Sequence, residues 1–137
     1  MYSIKDISQK FGLPASTIRY YEDIGLLENV NHINGYKREY DDSHIERLNA
    51  IECFKKARLP LEEIKQFFEY EKDIKANSSN ILNMMKNQEK KTKEELKNLN
   101  AGLEHISKKI KYYSEVDKAI KNDLNIPRWD EVFASKL

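Results

Sequence analysis

Ile4, Ile7 and Phe11 recur at the three-and-four spacing of a helix buried on one side, which predicts a first short helix through about Lys10. Gly12-Leu13-Pro14 interrupts it, with Gly12 free to take a positive φ and Pro14 suited to open the next helix. A second helix is expected from Ser16 to about Ile24, carrying Ile18 and Tyr21 inward and stopped by Gly25. Two short helices across a tight turn make a helix-turn-helix. The period then changes. Asn34-Gly35 is a hairpin signal, and Tyr36, Arg38 and Tyr40 alternate with Lys37 and Glu39 as a strand does, so Leu26 to Tyr40 is expected to form a small β-hairpin wing.

Asp41, Asp42 and Ser43 can cap a third helix with Ile45, Leu48, Ile51 and Phe54 on its apolar side. Pro60 closes the connection, and Leu61, Ile64 and Phe68 mark a fourth helix whose first turn carries Glu62 and Glu63, as the helix dipole favours. Asp73 to Ser79 is polar and is expected to bend. Beyond it Leu82, Met85, Glu89, Thr92, Leu96, Leu99, Leu103, Ile106, Ile110 and Tyr113 step alternately by three and four, a heptad seam with a weak middle at Glu89 and Thr92. A helix of about 40 residues is ~60 Å long and cannot fold back inside a small head. Its seam needs a partner helix, and the simplest is a second copy. The dimerisation positions are therefore Leu82, Met85, Leu96, Leu99, Leu103, Ile106, Ile110 and Tyr113. The expected organisation is a mainly α chain: a winged helix-turn-helix over 1–73, a long dimerisation helix over 74–121, and a tail over 122–137 that serves as a short structural cap through Pro127, Trp129 and Phe133.

Composition adds two constraints. Charged residues make up 34% of the chain, high for a single globule and suited to an exposed helix. The formal net charge is only +1, so nucleic-acid binding must rest on where the cations sit rather than on their sum. The N-terminus lacks a signal-peptide pattern and no apolar run approaches membrane-spanning length, so a soluble cytoplasmic protein is expected. No nucleophile and base are paired in the sequence, no glycine-rich phosphate loop is present, and Glu62-Glu63 reads as a helix start. No enzyme activity and no cofactor are expected.

Gly12-Leu13-Pro14, Thr17-Ile18-Arg19-Tyr20-Tyr21-Glu22, Gly25-Leu26-Leu27 and Asn34-Gly35-Tyr36-Lys37-Arg38-Glu39-Tyr40 follow one another in an order that resembles the head of the MerR family, and Leu61-Glu62-Glu63-Ile64 resembles the start of that family's fourth head helix. The resemblance covers about half the chain closely. A recognition helix enters the major groove N-terminus first. Ser16 and Thr17 can bond phosphates or bases, Arg19 can grip a phosphate or a guanine edge, and Tyr20 offers a hydroxyl to the backbone. Tyr36, Lys37 and Arg38 on the wing are placed for flanking phosphates, whereas Tyr21 and Tyr40 read as packing residues. The resemblance implies a homodimer joined through an antiparallel coiled coil. It also implies a pseudo-palindromic operator in double-stranded promoter DNA, and distortion of an overlong spacer so that RNA polymerase can use the promoter.

Metal-sensing relatives carry paired cysteines near the far end of the dimerisation helix. Here Lys108 to Leu137 contains none, and His32, His44 and His105 are scattered, so no metal site is expected. The placement of the single cysteine, Cys53, resembles that of the single cysteine in the thiol- and aldehyde-responsive branch (AdhR- and NmlR-like regulators). Ala50 and Ala57 share its face, and Lys56 and Arg58 are near. Arg58 occupies a position where the family commonly has Gly. Cys53 is thus the candidate electrophile sensor in a stress-responsive regulator. A buried structural thiol is the plain alternative. Two other functions share parts of this sequence. One is an effector-independent repressor or architectural DNA-binding protein, and the other is a coiled-coil interaction module whose head binds protein.

Overall fold

The computed structural model describes residues 1–133. A two-residue strand, β1 (Tyr2–Ser3), passes directly into α1 (Ile4–Phe11). The junction is sharp because Ser3 Oγ accepts the Asp6 N–H at 3.1 Å while the Asp6 carboxylate accepts the Ser3 N–H at 2.9 Å, a reciprocal cap on the first turn. Gly12, at φ +65°, ends α1 in the left-handed region. Pro14 then precedes α2 (Ala15–Asp23), its carbonyl accepting the Thr17 N–H at 3.0 Å. Gly25, at φ +82°, closes α2: Leu26 N–H reaches back to the Tyr21 carbonyl at 2.8 Å and Gly25 N–H to the Glu22 carbonyl at 3.1 Å.

The wing is β2 (Asn31–Ile33) and β3 (Lys37–Tyr40), joined by the three residues Asn34-Gly35-Tyr36, in which Asn34 and Gly35 both have positive φ. Strand order is β1-β3-β2, all antiparallel, with Tyr2 opposite Tyr40 and His32 opposite Arg38. β1 is too short for any period to show in the sequence.

Asp41 caps α3 (Asp42–Lys56) by accepting the Ser43 N–H at 2.9 Å. His44 completes this cap from inside. Its Nδ1 accepts the Asp41 N–H at 3.0 Å, so its Nε2 carries the proton and donates to the Glu28 carbonyl at 2.7 Å. That pairing accounts for a buried imidazole. The head core is built from Ile7, Ile18, Tyr21, Leu26, Tyr40, Leu48, Ile51, Ile64 and neighbours, drawn from the inward faces of α1, α2, β3, α3 and α4 (Leu61–Glu71) and from the loop after α2.

Arg58 has φ +64°, the conformation that glycine adopts at no steric cost. It ends α3 as a glycine would: Leu59 N–H bonds the Phe54 carbonyl at 3.0 Å and Arg58 N–H the Lys55 carbonyl at 2.9 Å. A non-glycine residue there carries about 1–2 kcal/mol of local strain. Arg58→Gly is therefore expected to raise stability by about 0.5–1 kcal/mol, read as a higher denaturation midpoint at unchanged slope. A lower midpoint would mean that what the Arg58 side chain holds outweighs its backbone strain.

α5 runs from Ile74 to Lys121. The bend expected over Asp73 to Ser79 is confined to Lys72 and Asp73. The polar stretch is helical because Asp73 caps it, its carboxylate accepting the Ala76 N–H at 3.2 Å. Contacts divide the chain into two units, the first Met1–Thr92 and the second starting at Lys93. The first unit reaches past residue 73 because α5 packs on the head there. Gln88 Nε2 and Thr92 Oγ1 both donate to the Ala57 carbonyl, at 2.8 and 3.0 Å, capping the end of α3. Met85 packs against the head core, so this expected seam residue is turned inward instead.

In the second unit Asp123, at φ +52°, ends α5 and turns the chain back. Leu124 N–H bonds the Ala119 carbonyl at 2.8 Å. Tyr112 donates its hydroxyl to the Pro127 carbonyl at 2.8 Å, and the Trp129 ring of α6 (Trp129–Val132) lies 5.2 Å from that of Tyr112. Phe133 stacks on Trp129 at 4.5 Å, so the tail as far as Phe133 packs on its own helix. Among the described residues no helix is long and apolar enough to cross a membrane.

Candidate nucleic-acid interface

Arg19 and Tyr20 stand exposed on α2, with Ser16 exposed and Thr17 half-buried nearer its N-terminus. Ile18 and Tyr21 take the opposite face into the core, so the period of α2 separates reading residues from packing residues. The Tyr21 hydroxyl is tied to α3, receiving a hydrogen bond from Lys55 Nζ at 2.6 Å. Tyr36, at the wing tip, is 81% exposed. Tyr40 is fully buried, its ring edge-on to His44 at 5.6 Å, and burial pushes its phenol up.

Arg19, Tyr36, Lys37 and Arg38 come together around one open depression of about 360 Å³, whose other walls are Ser3, Ile4 and Lys5. Four cations from α1, α2 and β3 thus converge on one surface of a chain whose net charge is +1. Ser16, Thr17 and Tyr20 are not among the walls; they extend the exposed surface along α2. Lys5 is the cation that the sequence pattern passed over. Its signal was the Ser3-x-x-Asp6 cap, which starts α1 at Ile4 and so puts Lys5 in the first turn, beside the wing.

Arg38 is more than a surface cation. Its Nε donates to Glu22 Oε2 at 2.6 Å, and His32 Nε2 approaches Glu22 Oε1 at 2.5 Å. Burial alone would raise the Glu22 carboxyl, but the hydrogen bonds from Arg38 and His32 outweigh it and hold the carboxyl below its usual range. Arg38 correspondingly sits above its ordinary range because of its bond to Glu22.

Along α5, Leu82, Leu96, Leu99, Leu103, Ile106, Ile110 and Tyr113 are all exposed in the single chain, Leu99 at 68%. Cys53 is exposed on α3, and its carbonyl accepts the Ala57 N–H at 3.2 Å, one turn before the Gln88–Thr92 contact. Among the described residues no group of His, Cys, Asp and Glu side chains is arranged to hold a metal ion.

Residues 2–71 match the profile of the family described as MerR HTH family regulatory protein. An uncharacterized HTH-type transcriptional regulator of Haemophilus influenzae is 27% identical over 132 residues, 95% of this chain and 97% of that protein. The HTH-type transcriptional regulator AdhR of Bacillus subtilis is 34% identical over 65 residues, 47% of this chain and 46% of that regulator. Among solved structures, HiNmlR, a MerR family regulator lacking the sensor domain and bound to promoter DNA, superposes with a TM-score of 0.77 at 27% identity, over 92% of this chain and 96% of that one.

Proposed function

The chain belongs to the MerR family of helix-turn-helix regulators and is a DNA-binding transcription regulator, and from that premise we propose that it acts as a homodimer on a pseudo-palindromic operator and distorts the promoter it binds. The convergence of Lys5, Arg19, Lys37 and Arg38 between reading helix and wing carries this reading. A phosphate backbone is the polyanion such a rim fits, and α2 beside it presents side chains to base edges. The exposed apolar row on α5 is the surface by which two copies join in an antiparallel coiled coil, so that two heads reach two half-sites at fixed separation. With the heads fixed, the DNA supplies the fit by bending and untwisting, which sets the promoter geometry met by RNA polymerase. The protein works in the cytoplasm as a regulator rather than a catalyst.

Induction acts at Cys53. Its thiolate adds to the carbonyl carbon of an aldehyde, the proton ends on the carbonyl oxygen, and nothing is oxidised. The exposed thiol sits beside the α3 terminus that Gln88 and Thr92 of α5 hold through the Ala57 carbonyl. An adduct there biases which arrangement of α3 and α5 the dimer populates.

Footprinting on the promoter upstream of its own gene, with and without an aldehyde, tests both parts. The expected result is a protected dyad inside an overlong spacer and an aldehyde-dependent change in promoter distortion. The change is expected to be absent in Cys53→Ser, whose basal footprint is unaltered. No symmetric protection would end the operator reading. A Cys53→Ser protein with the full aldehyde response would end the sensing step alone.

A further inference from the structure

Glu22 lies one turn after Arg19, so the two share a stripe of α2 that faces the wing. His32 and Arg38 are direct cross-strand neighbours in the hairpin and point to the same face of it. Each takes one oxygen of the Glu22 carboxylate, Arg38 Nε at Oε2 and His32 Nε2 at Oε1. Among the described residues these are the side-chain hydrogen bonds that join the wing strands to α2. Little else holds the outer part of the wing. β2 has three residues, none of them buried, and β1 pairs only with the far end of β3, at Glu39 and Tyr40. A short hairpin of this kind is marginal without such anchoring.

We infer that Glu22 is a positioning residue for DNA reading: through the His32–Arg38 pair it clamps the wing onto the recognition helix and so sets Tyr36, Lys37 and Arg38 against the phosphates that flank the groove read by Arg19. Glu22 itself touches no DNA. Its carboxylate, mostly buried and facing two strands, would repel a phosphate if it were not occupied by these two donors. The residue therefore does two things at once. It stiffens the wing, and it removes a negative charge from a surface meant for a polyanion. Only Nε of Arg38 is engaged by the clamp, and Arg38 still lines the depression. The inference rests on the DNA-binding reading above, so its test has one arm that needs no DNA.

The variant is Glu22→Gln, with His32→Ala loosening the same clamp from the wing side should the first fail to fold, since Arg38 is itself a proposed phosphate contact. In the free protein, amide exchange across β2 and β3 is expected to quicken about tenfold or more while α2 amides keep their protection. In binding titrations against the promoter duplex and a random-sequence duplex, the slope of log affinity against log salt is expected to fall by about one to two per half-site, as phosphate contacts from Lys37 and Arg38 are lost. A residue that merely supported stability would lower the melting temperature and leave this slope intact in the folded protein. Arg19→Ala is the control: it lowers affinity and leaves wing exchange unchanged. Exchange and salt slope both equal to wild type in the clamp variants would overturn the inference. Failure of the wild type to bind either duplex would instead overturn the DNA reading, with the exchange arm still judging the clamp.

Discussion

A Leu99→Glu, Ile106→Glu double variant is expected to sediment as a folded monomer and to bind the operator about 10²–10⁴-fold more weakly than the wild type. Both side chains are largely exposed in the single chain, so their replacement removes little packing within it. Leucine and glutamate differ little in helix propensity, so α5 itself is expected to persist. The cost falls on association. Each glutamate would be placed in a dry seam opposite apolar side chains, and burying an unpaired carboxylate there is prohibitive unless it neutralises. Two heads on one dimer see the second half-site at an effective concentration that adds about 10²–10⁴ to affinity without any new contact, and a monomer forgoes it. Sedimentation and operator titration read the two effects separately. A double variant that stays dimeric would place the dimer interface elsewhere on the chain. A monomer with undiminished operator affinity would show that one head suffices.

The head was largely legible because its punctuation is local. Gly12, Gly25 and Asn34-Gly35 each stand where the backbone takes positive φ, and such residues announce the turn whatever surrounds them. Ile7, Ile18, Tyr21, Leu48 and Ile64 sit on clean helical periods, and all are buried. What was not legible depends on residues distant in sequence. The run from Asp73 to Ser79 has weak helix propensity, yet it is helical, since a cap at Asp73 and the packing of α5 on the head override a small per-residue preference. Periodicity placed Met85 and Thr92 in the seam but could not say what they face. Both turn to the head, Met85 into its core and Thr92 onto the Ala57 carbonyl.

The same limit applies at the interface. Arg38 alternates with its neighbours as a wing cation should, and nothing local shows that Glu22, sixteen positions earlier, takes its Nε. Lys5 joins the cationic rim only because β1 pairs with β3, a contact of two residue pairs that no sequence period can display. Arg58 runs the other way. Its side chain gives no hint of the left-handed turn it adopts, and only the resemblance to a family with glycine there pointed to it.

Arg19→Ala is expected to lower operator affinity by about 1–3 kcal/mol at each half-site, which in a symmetric dimer compounds to about thirtyfold or more. Arg19 is exposed on the reading helix and opens onto the depression shared with Lys5 and Lys37, so its guanidinium is open to DNA. Its removal leaves the core of α2, Ile18 and Tyr21, untouched, so the fold is expected to be unchanged. The alanine variant alone would not say what Arg19 grips. Arg19→Lys does, because lysine keeps the charge but lacks the planar fork that pairs with two acceptors on a guanine edge. If Arg19 reads a base, Arg19→Lys is expected to lose nearly as much operator affinity as Arg19→Ala and to relax sequence preference at one position in each half-site. If it holds a phosphate, Arg19→Lys is expected to bind almost as wild type, and Arg19→Ala to weaken all sequences alike with a salt slope lower by about one per half-site. Undiminished affinity in both variants would remove α2 from the interface and with it the orientation of the head on DNA.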